Sequence, residues 1–200
     1  IAQVPEATGH AIIQLNKDAE NAIILFQGAN HALTETQVDA VLAQATSQDW
    51  VLLQNETNLV AYTIEKAHEL GVKVAFNPAP MDADLTRSVL KSVDLLIVNE
   101  VEAMDLMQVT SIDEAKQSLS STYPELAILM TLGSDGVRYL NAGQDEFVPA
   151  FKVTAKDTTA AGDTFIGFCL SALTNNLSMK DAMQRGCAAS AICVTRMGAA

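Results

Sequence analysis

Nine residues that end at Phe165, Asp-Thr-Thr-Ala-Ala-Gly-Asp-Thr-Phe, carry the strongest chemical signal in the sequence. The apolar run that begins at Phe165 predicts a helix that starts within this segment. The first N–H groups of a helix are unpaired and positively polarised, so Ala160, Ala161 and Gly162 would let an anion contact the backbone. Asp163 could then remove a proton from a hydroxyl that attacks the anion, which is phosphoryl transfer. The alternative is that Asp163 is an ordinary first-turn acid and the small residues only permit close packing.

Strand and helix patterns alternate along most of the chain. Continuously apolar runs predict strands at 50–53, 72–76, 94–98 and 127–131, with helical spacing between them. This alternation predicts an α/β fold with a mostly parallel sheet and helices on both of its faces. Strand-like pairs at 11–26 and 137–153 predict two hairpins, the second at the edge of the sheet. Helices at about 161–173 and 178–194 are predicted to close the chain.

Polar and glycine residues follow the predicted strands. Glu56, Asn77, Asn99 and Gly133 each lie just past a strand, where ligands bind in sheets of this kind. We therefore expect these positions to converge on one rim with the segment that contains Asp163. Asn99 with a Glu three residues later is also a capping box, so this pair has a purely structural interpretation as well.

The segment with Asp163 resembles the C-terminal signature of the ribokinase-like carbohydrate kinases, the PfkB family, and its form with Ala160 is similar to that of ribokinases. Other matching motifs follow in the family's order: Gln54-Asn55-Glu56, Asn77-Pro78-Ala79-Pro80, Asn99-x-x-Glu102, Thr131-Leu132-Gly133-x-x-Gly136 and Val194-Thr195-Arg196-x-Gly198. The resemblance covers essentially the whole chain. It implies the ribokinase-like α/β fold and ATP-dependent phosphorylation of ribose to ribose 5-phosphate.

The resemblance also implies a role for each matching residue. Asp163 would be the catalytic base and would also contact the sugar, beside an anion hole formed by Ala160, Ala161 and Gly162. Glu56 would hydrogen-bond a sugar hydroxyl. The nucleotide would contact Asn99, Thr131, Leu132, Gly133, Ser134, Asp135, Gly136, Gly162 and Cys187. Residues 131–136 have an alternative interpretation as a simple turn. Cys187 departs from the family, which usually has Asn or His against the adenine, and a thiol reproduces that contact poorly.

Two cations are implied by the same resemblance. Mg²⁺ bound to the phosphates would be ordered by Asn99 and Glu102. A monovalent cation, K⁺, would lie beside the anion hole and would be held mostly by backbone oxygens of residues that match the family: Asp157, Thr159, Cys193, Arg196 and Gly198. The family's last ligand of this cation would lie beyond Ala200.

Composition limits the kinds of partner. The 200-residue chain is 49% hydrophobic and 18% charged, which is typical of a globular protein. Its net charge of −12 argues against nucleic-acid and anionic-membrane partners. Three cysteines in apolar helical patterns are interpreted as core thiols of a reducing compartment. With no membrane-spanning run and no signal sequence, the chain is expected to be cytoplasmic.

The family chain is about half again as long, so we expect this sequence to be an N-terminally truncated piece of it. Residues 1–30 are expected to be the remnant of a β lid, and residues 31–200 the nucleotide-binding core. Full-length relatives would form homodimers through the lid. Two other functions stay open. One is a kinase of the same family that acts on fructose, a nucleoside or a keto-sugar acid. The other is a non-catalytic fragment that binds nucleotides.

Overall fold

The computed structural model describes residues 3–15 and 21–198. The strands in these residues are β1 (His10–Leu15), β2 (Asn21–Phe26), β3 (Trp50–Leu53), β4 (Lys73–Phe76), β5 (Leu95–Asn99), β6 (Ala127–Thr131), β7 (Gly136–Asn141) and β8 (Gln144–Pro149). The helices are α1 (Glu35–Leu42), α2 (Val60–Glu69), α3 (Ala83–Val89), α4 (Glu100–Met107), α5 (Ile112–Thr122), α6 (Ala161–Thr174) and α7 (Met179–Cys193).

A six-stranded sheet with the order β3-β4-β5-β6-β7-β8 forms the centre of the fold. Strands β3 to β6 are parallel, and the β7–β8 hairpin adds to the sheet in antiparallel orientation. Strands β1 and β2 form a separate antiparallel hairpin. The predicted fold class and both predicted hairpins are confirmed, although residues 16–20 of the first predicted turn lie outside the described residues.

Strands β4, β5 and β6 are buried on both faces, and this explains their apolar sequences. Strand β3 lies at the edge of the sheet and is only partly buried, with Leu52 exposed. In β5, Leu96 and Val98 pack into a cluster with residues of α1 to α5. Their neighbours Leu95 and Ile97 point to the opposite face, where they pack against α6 and α7. Because each buried Leu or Ile contributes about 1.5–3 kcal/mol, both helical layers are fixed firmly to the sheet.

Side-chain caps set the starts of several helices. The spacing Thr34-x-x-Gln37 predicts a capping box. It is present, since Gln37 N–H donates to the Thr34 side chain and Gln37 in turn accepts from Thr34 N–H. Helix α3 is not among the helices predicted from the sequence. Asp82 caps this helix by accepting from Leu85 N–H at 3.0 Å, and the buried Thr86 hydroxyl donates back to the Asp82 carbonyl oxygen at 2.6 Å.

One helix begins later than predicted, because the polar residue at the predicted start hydrogen-bonds to another segment. The apolar spacing after β3 predicts a helix from about Asn58, but α2 begins at Val60. The Asn58 side chain accepts from Leu33 N–H at 3.1 Å and donates to the Leu33 carbonyl oxygen at 2.8 Å. Asn58 therefore ties the segment before α1 to the start of α2 instead of capping the helix.

Glycine is required at the start of β7. Gly136 has φ of +135°, and a Cβ atom at this position would overlap the Val148 carbonyl oxygen of the neighbouring strand. The absence of a side chain thus allows β7 and β8 to approach each other. Packing within the hairpin therefore explains why position 136 is a glycine.

We predict that Gly136→Ala lowers the free energy of unfolding by about 2 kcal/mol, from backbone strain and overlap. Gly167→Ala is the matched control, because Gly167 lies in α6 and a Cβ atom there would meet nothing within 4 Å. The control variant is expected to gain about 0.5–1 kcal/mol from helix propensity. Urea unfolding of both variants measures the difference, and equal midpoints would contradict the packing account.

Candidate active site

A cavity of about 330 Å³ lies at the carboxyl ends of the parallel strands. Residues predicted to form the site line it from several segments that are far apart in the sequence: Glu56, Asn99, Glu102, Thr131, Gly162 and Asp163. Strand direction explains this convergence, since β3, β4, β5 and β6 are parallel and end at the same rim.

Helix α6 opens directly onto this cavity. Its N-cap residue is Ala160, which has left-handed backbone angles of φ 58° and ψ 14° and makes no side-chain cap. Ala161 N–H donates to the Thr158 carbonyl oxygen at 3.2 Å, so this amide is already satisfied. The N–H groups of Gly162 and Asp163 have no acceptor among the described residues. The free amides are thus a smaller set than the Ala160–Asp163 range expected from sequence.

Gly162 leaves room for a ligand, since a Cβ atom there would meet no protein atom within 4 Å. Packing within the protein therefore does not require glycine at this position. The exposed carboxylate of Asp163 follows directly in the first turn. The arrangement places free backbone donors and a carboxylate at one mouth, where an anion and a hydroxyl could meet.

Asn99 and Glu102 form the complete capping box of α4. Glu102 Oε2 accepts from Asn99 N–H at 2.8 Å, and Asn99 Oδ1 accepts from Glu102 N–H at 2.9 Å. The structural interpretation of this pair is therefore correct, and both side chains also line the cavity. Burial raises the pKa of the Glu102 carboxyl, the Asn99 N–H opposes that change, and the Asp105 charge adds to it.

Of the other residues expected to contact the nucleotide, Thr131 and Gly162 line the cavity, whereas Leu132, Gly133, Ser134, Asp135, Gly136 and Cys187 do not. Leu132 is half-buried against the core cluster of α1 to α5. Gly133, Ser134 and Asp135 are exposed in the turn between β6 and β7. Cys187 is buried in α7 among core residues, and this burial raises the pKa of its thiol.

The five residues expected at the monovalent-cation site come together beside the start of α6. Asp157 accepts from Thr159 N–H at 2.9 Å and from Gly198 N–H at 3.0 Å. Hydrogen bonds from Thr159 and then from Gly198 lower the pKa of Asp157. The Cys193 thiol contacts the Thr159 carbonyl oxygen at 3.7 Å, and Arg196 N–H donates to the Cys193 carbonyl oxygen at 3.0 Å.

Sequence reasoning missed part of the cavity wall. Gln54 was recognised only as a member of a motif, and Asn77 was expected at this rim without an assigned role; both line the cavity. Gln54 Nε2 lies 2.7 Å from Asn77 Oδ1 and 3.3 Å from Asp163 Oδ1. Their positions just after β3 and β4 were the available signal.

Comparison with known proteins identifies the family. The sequence model described as pfkB family carbohydrate kinase matches residues 2–200. The chain belongs to this family. Ribokinase from Haemophilus influenzae is 40% identical over 200 residues, which are 97% of this chain and 65% of that protein. The chain thus spans about 65% of the length of the curated relatives it matches.

Solved structures agree with this pfkB assignment. Ribokinase from Cryptococcus neoformans in complex with ADP superposes with a TM-score of 0.82 at 31% identity, over 98% of this chain and 68% of that one. Arabidopsis thaliana ribokinase, complexed with ribose and ATP, gives a TM-score of 0.81 at 25% identity, over 98% and 65% of the two chains. The family and the ribokinase-like fold implied by the sequence motifs are confirmed.

Finally, the helices of residues 3–15 and 21–198 include none with the length and hydrophobicity needed to span a bilayer.

The left-handed backbone of Ala160 generates a stability prediction. A Cβ atom disfavours this conformation by about 1 kcal/mol, and glycine adopts it freely. We expect Ala160→Gly to raise the free energy of unfolding by about 0.5–1 kcal/mol. Ala40→Gly, inside α1, is the control and is expected to lower it by about 1 kcal/mol. Chemical unfolding measures both changes, and a loss of stability in Ala160→Gly would exclude the strained N-cap.

Proposed function

We propose that this pfkB-family chain carries the phosphoryl-transfer centre of an ATP-dependent ribokinase, which converts ribose to ribose 5-phosphate. One observation carries the proposal: the amides of Gly162 and Asp163, which have no acceptor among the described residues, open onto the same cavity as the Asp163 carboxylate. Support for the substrates comes from the Arabidopsis relative, which is complexed with ribose and ATP.

In this proposal Asp163 acts as the general base. Its carboxylate accepts the proton of the primary sugar hydroxyl while that oxygen forms a bond to the γ-phosphorus of ATP. The bond between the γ-phosphorus and the bridging oxygen breaks, and its electron pair leaves with ADP. The N–H groups of Gly162 and Asp163 donate to the oxygens that gain charge, which is the role of an anion hole.

The lining of the cavity fits a nucleotide that binds as its Mg²⁺ complex. The described residues contain no cluster of three or more His, Cys, Asp or Glu side chains that could hold a metal ion by themselves. Mg²⁺ is usually held by one or two carboxylates together with phosphates and water. Glu102 fits that role because Oε1 accepts no hydrogen bond from the described residues. When bound, the ion would neutralise phosphate charge.

The remaining contacts follow the family resemblance. Asn99, residues 131–136, Gly162 and Cys187 would lie along the nucleotide. Glu56, an exposed residue at the cavity, would hydrogen-bond a sugar hydroxyl. K⁺ would be held by the residues clustered at Asp157, where the carboxylate and nearby carbonyl oxygens supply hard ligands and fix the loop before α6.

We further propose that residues 1–30 serve as a lid and 31–200 as the nucleotide-binding core. In the hairpin, Ile12, Ile24, Leu25 and Phe26 are each about half exposed, with values of 52%, 56%, 49% and 50%. A cluster of exposed apolar side chains favours association with a second copy of the chain.

Sedimentation of the protein is therefore expected to show a homodimer, and the Phe26→Ser substitution is expected to weaken it. A wild-type monomer at high concentration would contradict this.

The base is tested by Asp163→Asn. We expect kcat for ribose phosphorylation to fall about 100-fold or more while the affinity for ADP is nearly retained, because only proton removal is lost. The measurement combines coupled detection of ADP with calorimetric titration of the nucleotide.

Asp181→Asn is a matched control, because Asp181 occupies the same third position of α7 that Asp163 occupies in α6. Asp181 faces the Ser178 cap, so its replacement should leave kcat unchanged. An Asp163→Asn variant that is as active as the wild type would remove Asp163 from the mechanism.

A second candidate is nucleotide binding without transfer. It is favoured by the small number of expected sugar contacts on the cavity, which are Glu56 and Asp163. Calorimetry with ADP and then ribose separates the two functions. Heat with both ligands supports the kinase, whereas heat with ADP alone supports the binding function. A sugar panel with fructose, a nucleoside and a keto-sugar acid then identifies the substrate.

A further inference from the structure

A chain of hydrogen bonds leads from the core of the sheet to Asp163. It begins at the carbonyl oxygen of Ile97 in β5, which accepts from Asn77 Nδ2 at 2.9 Å. Asn77 is 7% exposed, and its own N–H donates to the Leu53 carbonyl oxygen at 2.9 Å. The Asn77 side chain is therefore fixed from both the backbone and the neighbouring strand.

The chemistry of the groups determines the direction of every bond in this chain. A backbone carbonyl can only accept, so the Asn77 amide must turn its NH₂ group toward Ile97 and its oxygen toward Gln54. Because Asn77 Oδ1 is an acceptor, Gln54 must present its NH₂ group at the 2.7 Å contact. The second hydrogen of that NH₂ group is then available for Asp163 Oδ1 at 3.3 Å.

We infer that Gln54 is a positioning residue for Asp163, oriented by Asn77 and the Ile97 carbonyl oxygen; this inference rests on the proposed function. Gln54 binds one carboxylate oxygen, Oδ1, and leaves Oδ2 to accept the proton of the sugar hydroxyl. It connects an exposed carboxylate on a helix end to two central strands. Its role is to hold the base in the orientation for attack, and it exchanges no proton.

Replacement of Gln54 by Met tests this positioning role, because the Met side chain has a similar length and no N–H group to donate. We expect kcat to fall about 10-fold to 100-fold, as for a misplaced catalytic group, with the ADP affinity and the melting temperature nearly unchanged. Gln44→Met is the matched control: Gln44 is exposed just after α1, and among the described residues its side-chain amide donates only to the Ala40 carbonyl oxygen of that helix. This control should keep full activity.

A double-mutant cycle separates positioning from general structural damage. If Gln54 acts through Asp163, then Gln54→Met has no further effect on kcat in the Asp163→Asn background. Independent, multiplicative losses would overturn the inference, and so would an unchanged kcat in Gln54→Met. If Gln54→Met does not fold, Gln54→Leu removes the same donors without adding a charge beside Asp163 and takes its place in the cycle.

A readout that needs no turnover distinguishes this inference from the proposed function. In NMR spectra, the side-chain amide protons of Gln54 should shift when Asp163 is changed to Asn, whereas those of Gln44 should not. An inactive wild-type protein that shows this shift would refute the kinase proposal and keep the contact. If the Gln54 amide resonances do not shift in Asp163→Asn, the inferred positioning of Asp163 by Gln54 is wrong, even in an active enzyme.

Discussion

The arrangement of the site depends on a helix, α6, that begins without a side-chain cap at the mouth of the cavity. Helices α1, α3, α4, α5 and α7 each begin with a side chain that accepts from a first-turn N–H group. Helix α6 has no such side chain, a property it shares with α2, and it is α6 that lines the cavity. Its free N–H groups attract anions, since the same end carries the positive side of the helix dipole.

The sheet brings other polar groups to the cavity, next to the N-terminus of α6. Glu56, Asn77, Asn99 and Thr131 belong to four segments, and each lies at or just past the carboxyl end of a parallel strand. Two helical layers, packed on opposite faces, hold the strands in fixed register. A rigid frame of this kind keeps catalytic groups within the small tolerances that reaction geometry requires.

Much of this arrangement could be predicted from local sequence signals. The capping residues Thr34 and Asn99, the continuously apolar strands and the edge hairpin each depend on neighbouring residues, and all of them are present in the structure. Helix α3 was missed because Pro78 and Pro80 dominate the local pattern, whereas its cap, Asp82, lies just beyond them.

Contacts between distant segments could not be predicted in the same way. The bond from Gln54 to Asp163 joins residues 109 positions apart, and its direction is set by a backbone carbonyl of a third strand. The burial of Cys187 likewise depends on how α7 packs against the sheet. Sequence spacing contains neither fact, since both arise from tertiary packing.

The central claim is that the amides of Gly162 and Asp163 hold the transferred phosphoryl group. The most direct measurement is the change in backbone amide NMR shifts when Mg²⁺, ADP and aluminium fluoride, a mimic of that group, are added together. The account predicts large downfield shifts for Gly162 and Asp163 and a small one for Ala161, whose N–H already donates to Thr158. Unchanged Gly162 and Asp163 amides in a nucleotide-saturated protein would contradict it.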